Sequence, residues 1–213
     1  MTAEEFADVV LDTNILHPNE ITSFFKFFNS ALPSPVAFSN TLRHVQSSAH
    51  HEIHRCGRFR VVNSSGQWSY YGPKDLLALV VNRDITLHGV CLFGSAYNSY
   101  KVTLEVKDTT KNTTVVSKSG MYLSKRLPYK SENEKSVEYY GYEVLFDSAA
   151  SLKMNTHYQI EALICGRPSG KGTVGNETVT VSGVTFRFAE VVRSDSNGTQ
   201  VTKGQFSQFL FSC

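Results

Sequence analysis

From Tyr100 onward the sequence keeps returning to a period of two. Tyr100, Val102, Leu104 and Val106 alternate with Lys101, Thr103, Glu105 and Lys107. Tyr140, Tyr142, Val144 and Phe146 repeat the pattern, and so do Tyr158, Ile160, Ala162 and Ile164. Val179 with Val181 and Phe186 with Phe188 continue it. Such alternation belongs to extended strands with one face buried. Upstream, the apolar runs Leu76–Val81 and Ile85–Phe93 flank Asn82-Arg83-Asp84, which reads as two strands and a polar turn. A last strand is expected over Gln205–Phe211. The strands are short, turn residues separate them, and no crossover helices intervene. The expected fold is mainly β, an antiparallel β-sandwich of about ten or more strands. Its single tryptophan, Trp68, and Phe93 are expected in the core.

The first 32 residues read as helix instead. Thr2-Ala3-Glu4-Glu5 is a capping box, in which Thr2 caps and Glu5 reaches back. Phe6, Val9 and Val10 follow at helical spacing, and His17-Pro18 restarts the chain with a proline suited to a first helical turn. Ile21, Phe24, Phe25 and Phe28 then fall at i, i+3, i+4 and i+7. This short helical segment needs a partner surface, because burying each phenylalanine is worth roughly 1.5–3 kcal/mol. Residues 33–55, rich in Pro, Ser, His and Asn, read as a linker, and residues 56–213 as the β domain.

Hydrophobic residues at 41% and charged residues at 19% suit a packed core rather than disorder. The 21 basic and 19 acidic residues are interspersed and form no basic stripe, which argues against nucleic acid or a membrane surface as partner. No apolar run approaches the ~20 residues of a membrane span. The acidic opening residues are the opposite of a signal peptide. Cys56, Cys91, Cys165 and Cys213 are widely spaced, and Cys91 and Cys165 lie in apolar runs, as reduced core cysteines do. A cytoplasmic protein with free thiols is expected. Asn63, Asn112, Asn176 and Asn197 each begin an Asn-x-Ser/Thr sequon, which a secreted glycan-binding sandwich would glycosylate. Without a signal sequence, their use in β-turns is the preferred reading.

Candidate chemistry is sparse. His44, His50, His51, His54 and Cys56 cluster, and His50 with His54 would share a helical face, but a structural zinc site needs four firmly held ligands. No metal and no cofactor is assigned. Gly166-Arg167-Pro168-Ser169-Gly170-Lys171-Gly172-Thr173 has the look of a phosphate cradle. Lys171 stands where a P-loop needs glycine, and strand rather than helix follows. The segment reads as a basic-tipped loop between strands, of the kind that carries recognition. Asp147, Ser148 and His157 are neighbours in sequence, which by itself does not make a triad. His88 reads as a hydrogen-bonded histidine within a strand. Trp68, Tyr70 and Tyr71 serve either as a binding platform or as core, and for Trp68 the core reading is preferred. Tyr97, in the Gly94–Asn98 loop, is expected to be exposed.

The β region resembles the PHR domain, the β-sandwich module shared with the PAM and Highwire ubiquitin ligases. The residues that carry the likeness are Arg58-Phe59, Trp68-Ser69-Tyr70-Tyr71-Gly72, Asp75, Val80, Asn82, Ile85, Gly89 and Leu92-Phe93-Gly94. Tyr100, Val144, Phe146, Tyr158, Gly166, Phe186, Phe188, Asn197-Gly198-Thr199 and Gly204-Gln205 continue it. The family's Gly-Trp-Gly-Tyr-Ser-Gly run is here Gln67-Trp68-Ser69-Tyr70-Tyr71-Gly72, two glycines short, and the stretch 125–135 looks like a polar insertion. Met1–Val10, Ile15–Phe28 and Arg55–Phe59 resemble the end of the BACK region that precedes PHR in BTB–BACK–PHR proteins. The resemblance implies a piece or short form without its BTB domain. It also implies a non-catalytic recognition module, the substrate-binding part of a cullin-3-type ubiquitin ligase adaptor. The alternatives are the PHR module of a giant RING-type ligase and the glycan-binding sandwich. Protein cargo is expected on loops at one end of the sandwich, with cullin-3 reached only through an upstream BTB domain. The expected contact residues are Ser95 and Asn197 as hydrogen-bonders, Tyr97 as an anchor, and Arg167 and Lys171 facing acidic groups.

Overall fold

The central strands of this chain are buried on both faces, and that sets the layering. A computed structural model describes residues 52–130 and 136–213, with 63–66 described for their backbone alone. The helical expectation over 1–32, most of the linker, and His44, His50 and His51 lie outside the described residues. Strands are numbered in chain order. A six-stranded sheet runs β11 (Thr178–Val181), β12 (Val184–Ala189), β3 (Asp75–Val81), β9 (Tyr158–Cys165), β5 (Ser99–Asp108), β6 (Thr113–Leu123). A five-stranded sheet runs β1 (His54–Gly57), β14 (Gln208–Ser212), β4 (Ile85–Phe93), β8 (Ser136–Leu152), β7 (Lys125–Lys130). A small third sheet runs β13 (Lys203–Gly204), β10 (Ser169–Gly175), β2 (Phe59–Trp68). The ladders within all three sheets are antiparallel.

The main core lies between the two large sheets. Leu77, Leu79, Val102, Leu104, Val106, Ile160 and Phe186 come from one side, and Val90, Leu92, Val144, Phe209 and Phe211 from the other. Phe209 stacks on Phe188 with ring centroids 5.3 Å apart, and Phe186 meets Phe211 edge-on at 5.0 Å. Successive residues of a strand point to opposite faces. Cys91 and Phe93 of β4 and Leu210 of β14 therefore point away from that core. They enter a second cluster with Phe59, Leu127, Tyr129 and Tyr139. Strand β2 supplies Phe59 and covers this outer face. Burial on both faces explains why Ile85–Phe93 is a continuous apolar run rather than an alternating one.

Several boundaries differ from the sequence reading, each for a visible reason. Gly166–Thr173 is a loop only as far as Pro168, because Ser169–Gly175 pairs with β2. A Cβ on Gly172 would lie 2.0 Å from the Phe59 ring, so glycine here answers to packing rather than to phosphate. Residues 125–130 form strand β7 rather than an insertion loop. The terminal strand is split into β13 and β14 and starts at Gln208, not Gln205. β1 begins at His54, ahead of the expected domain start. Cys91 is buried as expected, but Cys165 is exposed: it follows the inward Ile164 and so faces out. Trp68 and Phe93 are core residues.

Phe209→Ala should lower unfolding free energy in urea by about 3–5 kcal/mol, the usual cost of deleting a fully buried phenylalanine. A loss below about 1 kcal/mol would show that these rings do not hold the two sheets together.

Candidate functional site

The expected contact residues all map to one end of the sandwich, and a lattice of hydrogen bonds brings their segments together. The Gly94–Asn98 turn joins β4 to β5. Residues 166–168 follow β9, and Gly170 N donates to Gly94 O at 3.1 Å. The Ser69–Lys74 segment leads into β3, and the Tyr70 hydroxyl lies 2.6 Å from Ser169 Oγ. Residues 190–202 form a strap between β12 and β13 that returns over the start of β3. Its backbone bonds to Lys74 on both sides, Lys74 N to Asp195 O at 3.1 Å and Asn197 N to Lys74 O at 2.7 Å.

Asp75 anchors this strap. Its carboxylate is 1% exposed. It accepts from Thr199 Oγ1 at 2.6 Å and from Asn197 Nδ2 at 3.3 Å. Asn197 Nδ2 also donates to Ser69 O, and Gln205 N donates to Thr199 Oγ1. Gln205 Nε2 reaches Ser169 Oγ and Gly170 O. Arg58, fully buried, lies over the Phe59 ring and donates to the carbonyls of Phe206, Gln200 and Val201. Burial pulls the Arg58 guanidinium down to about 9. Burial also pushes the Asp75 carboxyl up to about 6, although Thr199 and Asn197 pull it down.

Above this frame stands an exposed surface. Tyr71 is 86% exposed and Tyr97 78%. Tyr97 sits in the left-handed region at φ 57° and meets Tyr140 edge-on at 5.9 Å. Arg126 lies over the other ring of that pair, 5.7 Å from the Tyr140 centroid, and bonds its hydroxyl. The Arg126 guanidinium beside Tyr140 lowers the tyrosine's pKa. Arg167 is exposed, and Lys171 Nζ lies 5.8 Å from the Trp68 ring centroid. Aromatic faces beside cations suit a partner that offers both apolar and acidic groups.

The expected residues thus divide. Tyr97 and Arg167 face solvent. Lys171 stands in β10 rather than in a loop, half-buried beside Trp68. Asn197 spends its amide on Ser69 and Asp75. Ser95 Oγ is taken up by the Tyr100 hydroxyl at 2.8 Å and by Asn98 Nδ2 at 3.0 Å. Ser95 and Asn197 shape the loops. Tyr140 and Arg126 are not among the expected contacts, and Tyr71 is expected only as part of an aromatic cluster that is either platform or core. Tyr70 packs inward against Tyr100, and Tyr71 lies exposed in the bend that follows it, outside any strand. The alternation places Tyr140 on an inward face, but it is only half-buried. The two glycines absent at Gln67 and Ser69 are not needed for backbone conformation: neither residue has positive φ, and only Gly72 in this run does, at 106°. Elsewhere, Asp147 pairs with Lys118, His88 Nε2 lies 2.8 Å from Ser212 Oγ, and His54 Nδ1 lies 3.0 Å from Ser182 Oγ.

Comparison with protein families matches residues 57–212 to the PHR domain. The chain belongs to the PHR family. Among curated proteins it is 27% identical to the zebrafish (Danio rerio) protein named BTB/POZ domain-containing protein 6-A, over 99% of this chain and 36% of that protein. The human BTB/POZ domain-containing protein 6 gives the same identity and the same two shares. Human BTB/POZ domain-containing protein 3 is 24% identical over 99% of this chain and 38% of its own length. The chain therefore spans little more than a third of these relatives. Their similarity takes in the residues ahead of the PHR match as well. The PHR domain is mainly β and antiparallel, and among its described residues no helix is long and apolar enough to cross a membrane.

A folded-state pKa above the unfolded value means that the native PHR domain holds the Asp75 proton more tightly. The resulting stabilisation is fully present below about pH 4 and is lost as the pH rises through about 6. The stability of wild type minus that of Asp75→Asn, followed by urea denaturation, should fall by on the order of 3 kcal/mol between about pH 4 and about pH 7. A difference that stays flat with pH would show that Asp75 does not couple protons to folding.

Proposed function

We propose that this PHR domain is the cargo-recognition part of a cullin-3-type ubiquitin ligase adaptor, acting in the cytoplasm without catalysis of its own. The family match over 57–212, together with relatives named for a BTB/POZ domain, carries the reading. The BTB/POZ relatives favour this over a PHR module of a giant RING-type ligase. The similarity across residues ahead of the PHR match supports the end of a BACK region there, joined to the β domain by a linker. Cullin-3 is reached only through a BTB domain, and the PHR domain holds the protein to be modified.

The cargo surface is the loop end, with Tyr71, Tyr97, Tyr140, Arg126 and Arg167 as contacts. Two physical properties favour it. Its aromatic side chains offer large contact area while losing little conformational entropy on binding. Its loops are tied to one another and to Asp75, so little loop ordering opposes association.

Tyr97→Ala combined with Arg167→Ala should reduce recovery of specific protein partners at least about tenfold in quantitative affinity purification from cells. Thermal stability should stay at the wild-type value, because both side chains are exposed. Undiminished recovery would remove the loop end as the cargo surface. In the same experiment, cullin-3 should co-purify only when a BTB domain is present in the expressed chain. Cullin-3 recovered by the β domain alone would overturn the division of roles.

A further inference from the structure

The outer face of the six-stranded sheet carries a second feature, at the opposite ends of β3 and β9 from the cargo loops. Half of this face is closed by ions. Glu161, 2% exposed on β9, is met by Lys74 at 2.7 Å, Lys107 at 3.0 Å and Arg193 at 3.0 Å. Glu105, its cross-strand neighbour, shares Lys74 and Lys107. Burial raises the Glu161 carboxyl, but the ammonium groups of Lys74 and Lys107 outweigh it and hold the pKa at about 2. These carboxylates are fully engaged.

The other half of the face is hollow. Ala78 of β3 lies directly opposite Ala189 of β12, and Val80 directly opposite Arg187. Two alanines side by side on a sheet face leave space that larger side chains would fill. The result is a trough of about 270 Å³, floored by Ala78, Val80 and Ala189 and rimmed by Asn155, His157 and Arg187. A second depression of about 80 Å³ shares Val80, Asn155 and Arg187 and runs on to Asn82 and Thr185. The turn after β8 makes one wall, held by Asn155 N donating to Val81 O at 2.9 Å.

Among the described residues, no carboxylate lines either depression and Arg187 makes no ion pair or side-chain hydrogen bond. Glu190, just beyond Ala189, does not reach it. A guanidinium normally forks onto a carboxylate, and here it borders a hydrocarbon floor without one. The two depressions adjoin at Val80, Asn155 and Arg187, so that together they run from Ala189 to Thr185 along the sheet face.

We propose that this trough docks a peptide segment that places an apolar side chain beside an acidic one, the first on the Ala78–Val80–Ala189 floor and the second on Arg187. The site is separate from the cargo loops and stands whether or not they hold cargo.

The test is a ¹H–¹⁵N NMR titration of the chain with acetyl-phenylalanyl-aspartyl amide. The amides of Ala78, Val80 and Ala189 should shift with saturation. The asparaginyl analogue and the acetyl-alanyl-aspartyl analogue should each bind about tenfold more weakly. Arg187→Gln should weaken the aspartyl peptide to the level of the asparaginyl one, and Arg187→Lys should restore part of the loss. Ala78→Leu, which fills the floor from an outward position, should abolish the shifts. The Tyr97→Ala/Arg167→Ala variant should bind as wild type, which separates this site from the loop-end proposal. Equal binding of the asparaginyl analogue, indifference to Arg187→Gln, or shifts confined to other residues would overturn the proposal. So would binding of phenylacetate without binding of the peptide, which would make the trough a site for a free carboxylate.

Discussion

A buried carboxylate that makes no ion pair among the described residues holds the loop end of this domain in place. Asp75 opens β3 and is closed off from water by the strap that it pins. Its two oxygens are satisfied by a hydroxyl and an amide, Thr199 and Asn197. Leaving a buried acceptor unpaired costs about 1–3 kcal/mol, so each donor is held to its place. From Thr199 the chain of bonds passes to Gln205, and from Gln205 to Ser169 and Gly170. Gly170 in turn holds Gly94. Four separated segments are thereby locked to one another, and the exposed tyrosines and arginines stand on top of them.

The layering follows from a related constraint. The five-stranded sheet is buried on both sides, by the six-stranded sheet and by β2 with β10. Phe59, with Arg58 over its ring and Phe93 tilted against it at 5.9 Å, ties the small sheet to the large one. The approach of β10 to the Phe59 ring requires Gly172. That requirement accounts for a glycine-rich, lysine-bearing sequence that imitates a phosphate cradle. The same chemistry of close approach places Lys171 beside Trp68 rather than at a loop tip.

The site was only partly legible in advance. Tyr97 and Arg167 were recognisable because a turn with glycine at its start and a loop with Gly and Pro expose what they carry. Ser95 and Asn197 have the composition of contact residues and a different role, since polar side chains in turns often serve the backbone around them. Tyr140 belongs to an alternating run, and alternation says which face a residue shares but not whether that face stays covered at the strand's end. Arg126 comes from a strand that reads as a polar insertion. Its value lies in the neighbour it meets, Tyr140 on the adjacent strand, and pairing between strands is not written in local sequence.

What the sequence determined by itself is the strand content, the antiparallel class, the family likeness and most of the main core. These rest on a two-residue period and on apolar runs, which are local properties. Only the tertiary structure decided which polar residues are spent on the frame and which are free, that a third sheet covers the outer face, and that a hollow remains over Ala78 and Ala189. Those outcomes depend on contacts between residues more than a hundred positions apart, such as Asp75 with Thr199 and Arg58 with Phe206. A periodic pattern fixes the direction a side chain faces, and only the assembled layers fix what it meets there.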